Sequence, residues 1–177
     1  MKTLIILAHP SIDNSRVNKQ WEQELIQFPD KIEIHELYKE YPDWNINIKY
    51  EQQLLEMHDH IIFQFPIYWY SYPPLLKKWL DDVWTHGWAY GSKGHKLKGK
   101  KFGAAISIGD KKENYLPTGS VSFTINELIA PFKASVKHVG GIVLPYFAIF
   151  GASFQASDEE IKQSAKDYIS YIFTNSK

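Results

Sequence analysis

Five apolar runs rich in branched side chains alternate with stretches of helical periodicity along this chain, and that alternation restricts its fold more than any other feature. The first run, LIILA within Lys2 to Ala8, shows no polar alternation, as a strand covered on both faces requires. Val17, Trp21, Leu25 and Phe28 then recur at steps of four, four and three, which lays one apolar stripe along a helix. Ser15 or Asp13 is placed to cap that helix and Pro29 to end it. Lys31 to Leu37 alternates Ile32 and Ile34 with polar neighbours, the pattern of a more exposed, peripheral strand. Tyr38 to Ile48 has no period and contains Pro42. A short helix is predicted over Tyr50 to His58, then a buried strand, HIIFQF, over His60 to Phe65 that Pro66 closes. Leu75, Leu76, Trp79, Leu80, Val83 and Trp84 mark the next helix, and Lys101 to Ile108 the fourth strand. Leu128, Ile129, Phe132 and Val136 suit a helix that Pro131 must kink or interrupt. A fifth strand follows over Ile142 to Phe150 around Pro145, and a last helix over Ser157 to Phe173, opened by Ser157 and Glu160 in capping-box spacing. Strands alternating with helices predict an α/β fold: a parallel sheet with helices on both faces, right-handed crossovers, and one domain over residues 1–177.

Charge and cysteine content narrow the chemistry. Twenty Lys and Arg balance 20 Asp and Glu, so no global field gathers nucleic acid or anionic membrane. The chain has no cysteine, which removes disulfides, thiolate nucleophiles, Fe–S ligation and Cys-based zinc sites, and points to a cytoplasmic setting. The apolar stretch of MKTLIILAHP is cut by His9 and Pro10 too early for a signal-peptide core or a membrane span. His58 and His60 lack a third ligand at metal-binding spacing, and Asp81 and Asp82 read as surface charge on a helix, so neither pair is expected to be a metal or catalytic site. LKKW and GHKLKGKK carry local positive charge suited to a solvated face or a single phosphate contact.

In such a sheet the ligand crevice lies beyond the carboxyl ends of the strands, near the switch in strand order. Three loops converge there: His9 to Ser15, Pro66 to Tyr72 and Ser107 to Tyr115. The first leads into a helix N-terminus, whose free N–H groups favour phosphate. His9 can supply an imidazole N–H, Ser15 a hydroxyl and Arg16 a charge, with the backbone at Arg16 and Val17 around the anion; equally, Ser15 can simply cap the helix. HPSIDNS has no glycine and no GK[ST], and GxGxxG is absent, so a Walker P-loop and a dinucleotide fingerprint are both excluded. The second loop presents Tyr68, Trp69, Tyr70 and Tyr72, faces enough for one side of a planar ring or for an interface patch. In the third, Gly109 permits close backbone approach and successive N–H groups can meet a carbonyl-rich ring edge.

These residues carry a resemblance. ILAHP with SRVN after it, the long segment FQFPIYWYSYPPLLKKWLDDV, GWAYG, ISIG and ELIAPFKASVKHVGG resemble the flavodoxin-like NAD(P)H:quinone oxidoreductases, including small bacterial general stress proteins and potassium-efflux ancillary reductases. The likeness spans nearly the whole chain. It implies a three-layer sandwich around a five-stranded parallel sheet of order 2-1-3-4-5, and a homodimer with flavin sites near the interface. His9, Ser15, Arg16, Val17 and Asn18 resemble the flavin-phosphate loop and helix start; Pro66, Ile67, Tyr68, Trp69 and Tyr70 resemble the loop framing the isoalloxazine; Ser107, Ile108, Gly109 and Asp110 resemble the loop at its opposite edge. Many relatives have TTGG at that last position, where this chain reads ISIGD. Tyr115 matches a substrate-pocket tyrosine, and the histidine that accompanies it in mammalian members is missing here.

The chemistry implied is ping-pong hydride transfer from NADH or NADPH to the flavin and then to small quinones, aligned by the protein without a side-chain nucleophile. The compact C-terminus resembles members that use FMN rather than FAD. Two other functions fit the same resemblance: an electron carrier without turnover of its own, and a regulatory flavoprotein bound to a potassium-efflux transporter. The neutral surface disfavours the carrier, whose docking surface is often strongly acidic.

Overall fold

The computed structural model describes residues 2–176. Strand β1 (Thr3–Leu7) lies at the centre of a sheet with β2 (Ile32–Glu36) on one side and β3 (His60–Pro66) on the other, followed by β4 (Lys101–Ser107). The fifth position is filled by two short strands, β5 (Ile142–Val143) and β6 (Phe147–Ile149), both beside β4. All pairings are parallel and the order is β2-β1-β3-β4-β5, as the resemblance implies. The broken fifth strand has a local cause. Three steps along β4, from Phe102 to Ala105, face four along the partner, from Val143 to Phe147. One extra residue is accommodated around Pro145, which has no N–H to give the ladder.

Alternation along β1 assigns the two faces. Leu4 and Ile6 are buried with α3 (Ile48–Glu56), α4 (Pro74–Val83) and α6 (Ala130–His138), whereas Ile5 and Leu7 are buried with α1 (Arg16–Leu25) and α7 (Asp158–Asn175). Trp21 on α1 is fully buried and its indole N–H donates to Ser164 Oγ of α7 at 2.9 Å, so the stripe read from the sequence seats one helix against the other.

The elements differ from expectation at their ends. The first helix stops at Leu25, before Pro29, and α3 begins two residues earlier than expected because Asn47 caps it through Tyr50 N–H. The aperiodic stretch after β2 opens with a four-residue helix, α2 (Leu37–Glu40), too short to show a period. Of the kink or interruption expected at Pro131 the structure shows the interruption: α5 (Ile125–Leu128) ends and α6 begins with Pro131 in its first turn, where a missing N–H costs nothing. On α7 both halves of the Ser157–Glu160 capping box form.

Candidate cofactor site

Beyond the carboxyl ends of β1, β3 and β4 lies a cleft of about 480 Å³. His9, Ser15, Arg16 and Val17 of the first loop line it, with Pro66, Ile67 and Tyr68 of the second and Ser107 and Gly109 of the third. A fourth segment, Ala152 to Phe154, completes the wall and carries no motif that announces it. It arrives through main-chain bonds to the third loop: Gly151 N–H to Asp110 O at 2.8 Å and Ala152 N–H to Ile108 O at 2.9 Å.

The first loop gathers hydrogen-bond donors at one end of the cleft. Ser15 caps α1 by accepting Asn18 N–H at 3.0 Å, yet its own hydroxyl proton remains available, so capping and ligand contact are compatible. Arg16 and Val17 are the first two residues of α1, where N–H groups have no intrahelical acceptor. The Arg16 guanidinium spans the cleft edge to α7, donating to Ala156 O at 3.0 Å and Asp158 Oδ1 at 2.7 Å. That pairing holds the Asp158 carboxyl below its usual range. Burial lowers the His9 pKa, so the imidazole favours its neutral form.

The aromatic loop divides. Tyr68 and Ser71 exchange both main-chain bonds at 3.0 Å, closing a two-residue turn whose central pair, Trp69 and Tyr70, have φ of 46° and 64°. Such turns ordinarily use Asn-Gly or Gly-Gly. Tyr68 lines the cleft and meets the His9 ring edge-on at 6.4 Å. Trp69 stands at the tip, 91% exposed, outside the cleft lining of this single chain, and Tyr70 beside it is also exposed.

In the third loop, a Cβ at Gly109 would sit 2.6 Å from Ser153 Oγ, so a side chain there would have to turn the Ser153 hydroxyl aside. Ile108 buries its side chain in the core and spends its N–H on Ile149 O at 2.9 Å, so it positions the loop without facing the cleft. The Asp110 carboxylate accepts from Lys111 N–H and Asn114 Nδ2, bonds that lower its pKa. Tyr115 is buried against Phe150, rings 5.9 Å apart, and burial, then Tyr70 and Asp110, push its phenol above the usual value. Asn18 lies beneath the floor, its side-chain amide donating to Ser107 Oγ at 2.8 Å. Thus nine of the expected residues meet in the cleft, while Asn18, Trp69, Tyr70, Ile108, Asp110 and Tyr115 stand behind or beside it.

Elsewhere, among the described residues no group of His, Asp and Glu is arranged to hold a metal ion, and no helix is long and apolar enough to cross a membrane. His58 and His60 are buried against Leu54 O and Thr3 Oγ1 respectively.

Comparison with known proteins gives a consistent neighbourhood. A family described as having a flavodoxin-like fold matches residues 1–172. The chain is 48% identical over 172 residues to the uncharacterized NAD(P)H oxidoreductase YdeQ of Bacillus subtilis, covering 97% of this chain and 86% of that protein. It is 39% identical over 165 residues to the glutathione-regulated potassium-efflux system ancillary protein KefF of Enterobacter sp., covering 93% and 92%. Among solved structures, general stress protein 14 of Treponema denticola in complex with FMN superposes with a TM-score of 0.94 at 43% identity, covering 98% and 99% of the two chains. An NADPH-quinone reductase from P. pentosaceus does so with a TM-score of 0.86 at 33% identity, covering 97% and 98%.

Proposed function

The chain belongs to the flavodoxin-like family, and on that premise we propose that it is a flavin-dependent NAD(P)H:quinone oxidoreductase working by alternating hydride transfers in one cleft. Oxidoreductase activity, FMN as the flavin and NAD(P)H as the donor follow from its relatives, one of them an FMN complex at 43% identity. The observation that carries the site is that first-turn donors of α1 and two ring-sized loops line the same cleft.

The residues present fit that cofactor. The unspent N–H groups of Arg16 and Val17, the Ser15 hydroxyl and the neutral His9 ring suit a phosphate. Pro66, Ile67 and Tyr68 form one wall for a flat ring, with Trp69 and Tyr70 at its mouth; Ser107 and Gly109 form the opposite edge, where the N–H groups of Gly109 and Asp110 have no partner among the described residues. Asn18 and Ile108 hold those edges from behind. When bound, FMN supplies a group that accepts two electrons as hydride and passes them on. The chain's own part is to align donor and acceptor over the ring, limit water and keep a proton at hand, the role the family resemblance gives to Tyr115. The exposed Trp69 supports a homodimer in which the turn tip of one protomer is covered by its partner. The reading keeps the cytoplasmic location expected from the sequence.

The likeness to KefF supports a second role, as the partner of a potassium-efflux transporter; co-isolation with such a transporter and altered ion flux on deletion test it. For the main reading, the test is native purification followed by extraction and mass measurement of the cofactor, with one FMN per chain expected. A purified chain that retains no flavin and gains none on incubation with FMN or FAD would refute it.

A further inference from the structure

Beneath the cleft floor lies a polar chain that the sequence does not announce. Gln64 on β3, Asn18 on α1 and Ser107 at the end of β4 are 0%, 1% and 5% exposed. Gln64 Nε2 donates to both Asn18 O and Asn18 Oδ1 at 3.3 Å, and Asn18 Nδ2 donates to Ser107 Oγ at 2.8 Å. Gln64 Oε1 has no hydrogen-bond partner. A buried amide on a central strand, between apolar neighbours Phe63 and Phe65, loses its hydration on folding, a cost that only hydrogen bonds offset.

The direction of this chain follows from donor and acceptor counting. Both groups that Gln64 faces on Asn18 are acceptors, so the Gln64 nitrogen must point at them. With Asn18 Oδ1 turned to Gln64, the Asn18 nitrogen is the only part of its amide left for Ser107. A flipped Asn18 would set two NH₂ groups against each other. Ser107 Oγ therefore accepts from inside, and its proton has no acceptor among the described residues except through the cleft that Ser107 lines.

We infer that Gln64 and Asn18 are positioning residues that turn the Ser107 hydroxyl proton outward, so that Ser107 meets the bound flavin as a hydrogen-bond donor. The inference rests on the flavin reading and adds to it a residue, Gln64, and a polarity. Without Gln64, Asn18 is free to flip, Ser107 donates inward to Asn18 Oδ1, and the ligand meets a lone pair.

The test is a double-mutant cycle on FMN affinity, measured by fluorescence quenching with the full chain. Gln64→Met, close in shape but unable to donate, is expected to weaken FMN about five- to tenfold, the worth of one hydrogen bond. Ser107→Ala is expected to do the same, and the double variant no worse than either. Thermal melts of the apoprotein separate this from a general loosening of the core, which would weaken FMN by the same factor whether or not the Ser107→Ala change is also present. If Gln64→Met does not fold, Gln64→Asn withdraws the same amide while leaving the site polar. Additive losses, or wild-type affinity in the folded Gln64 variant, would overturn the relay and leave the flavin reading standing. No FMN binding by the wild-type chain would overturn both.

Discussion

His9 Nδ1 accepts the backbone N–H of Ser11 at 3.1 Å. That bond fixes the tautomer of a neutral ring: the proton resides on Nε2, leaving one donor on a residue that lines the cleft. Protonating the ring would set an Nδ1–H against the Ser11 N–H, so His9 meets a phosphate as a neutral Nε2–H donor. FMN affinity is therefore expected to fall as the pH drops toward about 6, where the phosphate dianion takes its second proton, and riboflavin, which has no phosphate, to show no such slope. His9→Leu is expected to weaken FMN roughly tenfold while changing riboflavin affinity by less than about twofold. Equilibrium titrations of the two flavins at three pH values check it; equal losses for both would move the phosphate elsewhere.

Tyr115 asks a question about protons. With its pKa raised by burial, the phenol keeps its proton throughout the range in which the enzyme is assayed, as the donor role proposed for it requires. Tyr115→Phe is expected to slow one half-reaction about tenfold or more with flavin occupancy unchanged, and to add or remove no break in the pH profile between 6 and 9. Stopped-flow traces of reduction and reoxidation identify which half is affected. Wild-type rates in both would make the ring a packing element against Phe150.

Trp69 occupies a left-handed position that costs a non-glycine residue of order 1 kcal/mol, and its side chain gains almost no burial in the isolated chain. Trp69→Gly is expected to leave the protomer's stability unchanged or higher by up to about 1 kcal/mol. At the same time it should weaken dimerisation and flavin retention. Thermal melts together with light scattering at several concentrations decide this. A variant with unchanged assembly and unchanged flavin content would strip the turn of its proposed role.

His60 supplies an acid sensitivity away from the site. Burial and nearby Lys101 lower its pKa to about 4, against 6.5 when unperturbed. Below pH 6.5 the unfolded chain takes the proton and the folded one does not, so stability falls as pH drops from 6.5 toward 4, by about 2–3 kcal/mol at most. In His60→Asn that decline should be shallower. Urea midpoints at pH 7, 5.5 and 4.5 for the two proteins measure it; parallel curves would show that other groups carry the acid response.

Much of this architecture is legible in side-chain order. LIILA, the Trp21 stripe and the Ser157–Glu160 box are local patterns, and the structure realises each locally. The first cradle of the cleft is readable for the same reason, since Ser15, Arg16 and Val17 are consecutive. What escapes depends on register between distant segments. The Ala152–Phe154 wall reaches the cleft only because β6 pairs with β4 after the extra residue at Pro145. The Arg16–Asp158 bridge joins residues 142 positions apart. The left-handed pair at Trp69 and Tyr70 follows from the mutual bonds of Tyr68 and Ser71, where residue preferences argue against such a turn. Gln64 is hidden in the apolar run from Ile61 to Pro66, and its bonds to Asn18 on α1 cannot be read from its own strand.

The most direct measurement is an anaerobic two-stage titration of the FMN-loaded protein. Addition of one equivalent of NADH or NADPH is expected to bleach the visible absorbance of the oxidised flavin, with the oxidised nicotinamide released. One equivalent of a simple quinone added afterwards is expected to restore the absorbance in full. A protein that binds FMN yet is bleached by neither nicotinamide, or is bleached and not reoxidised by quinone, would contradict the assignment.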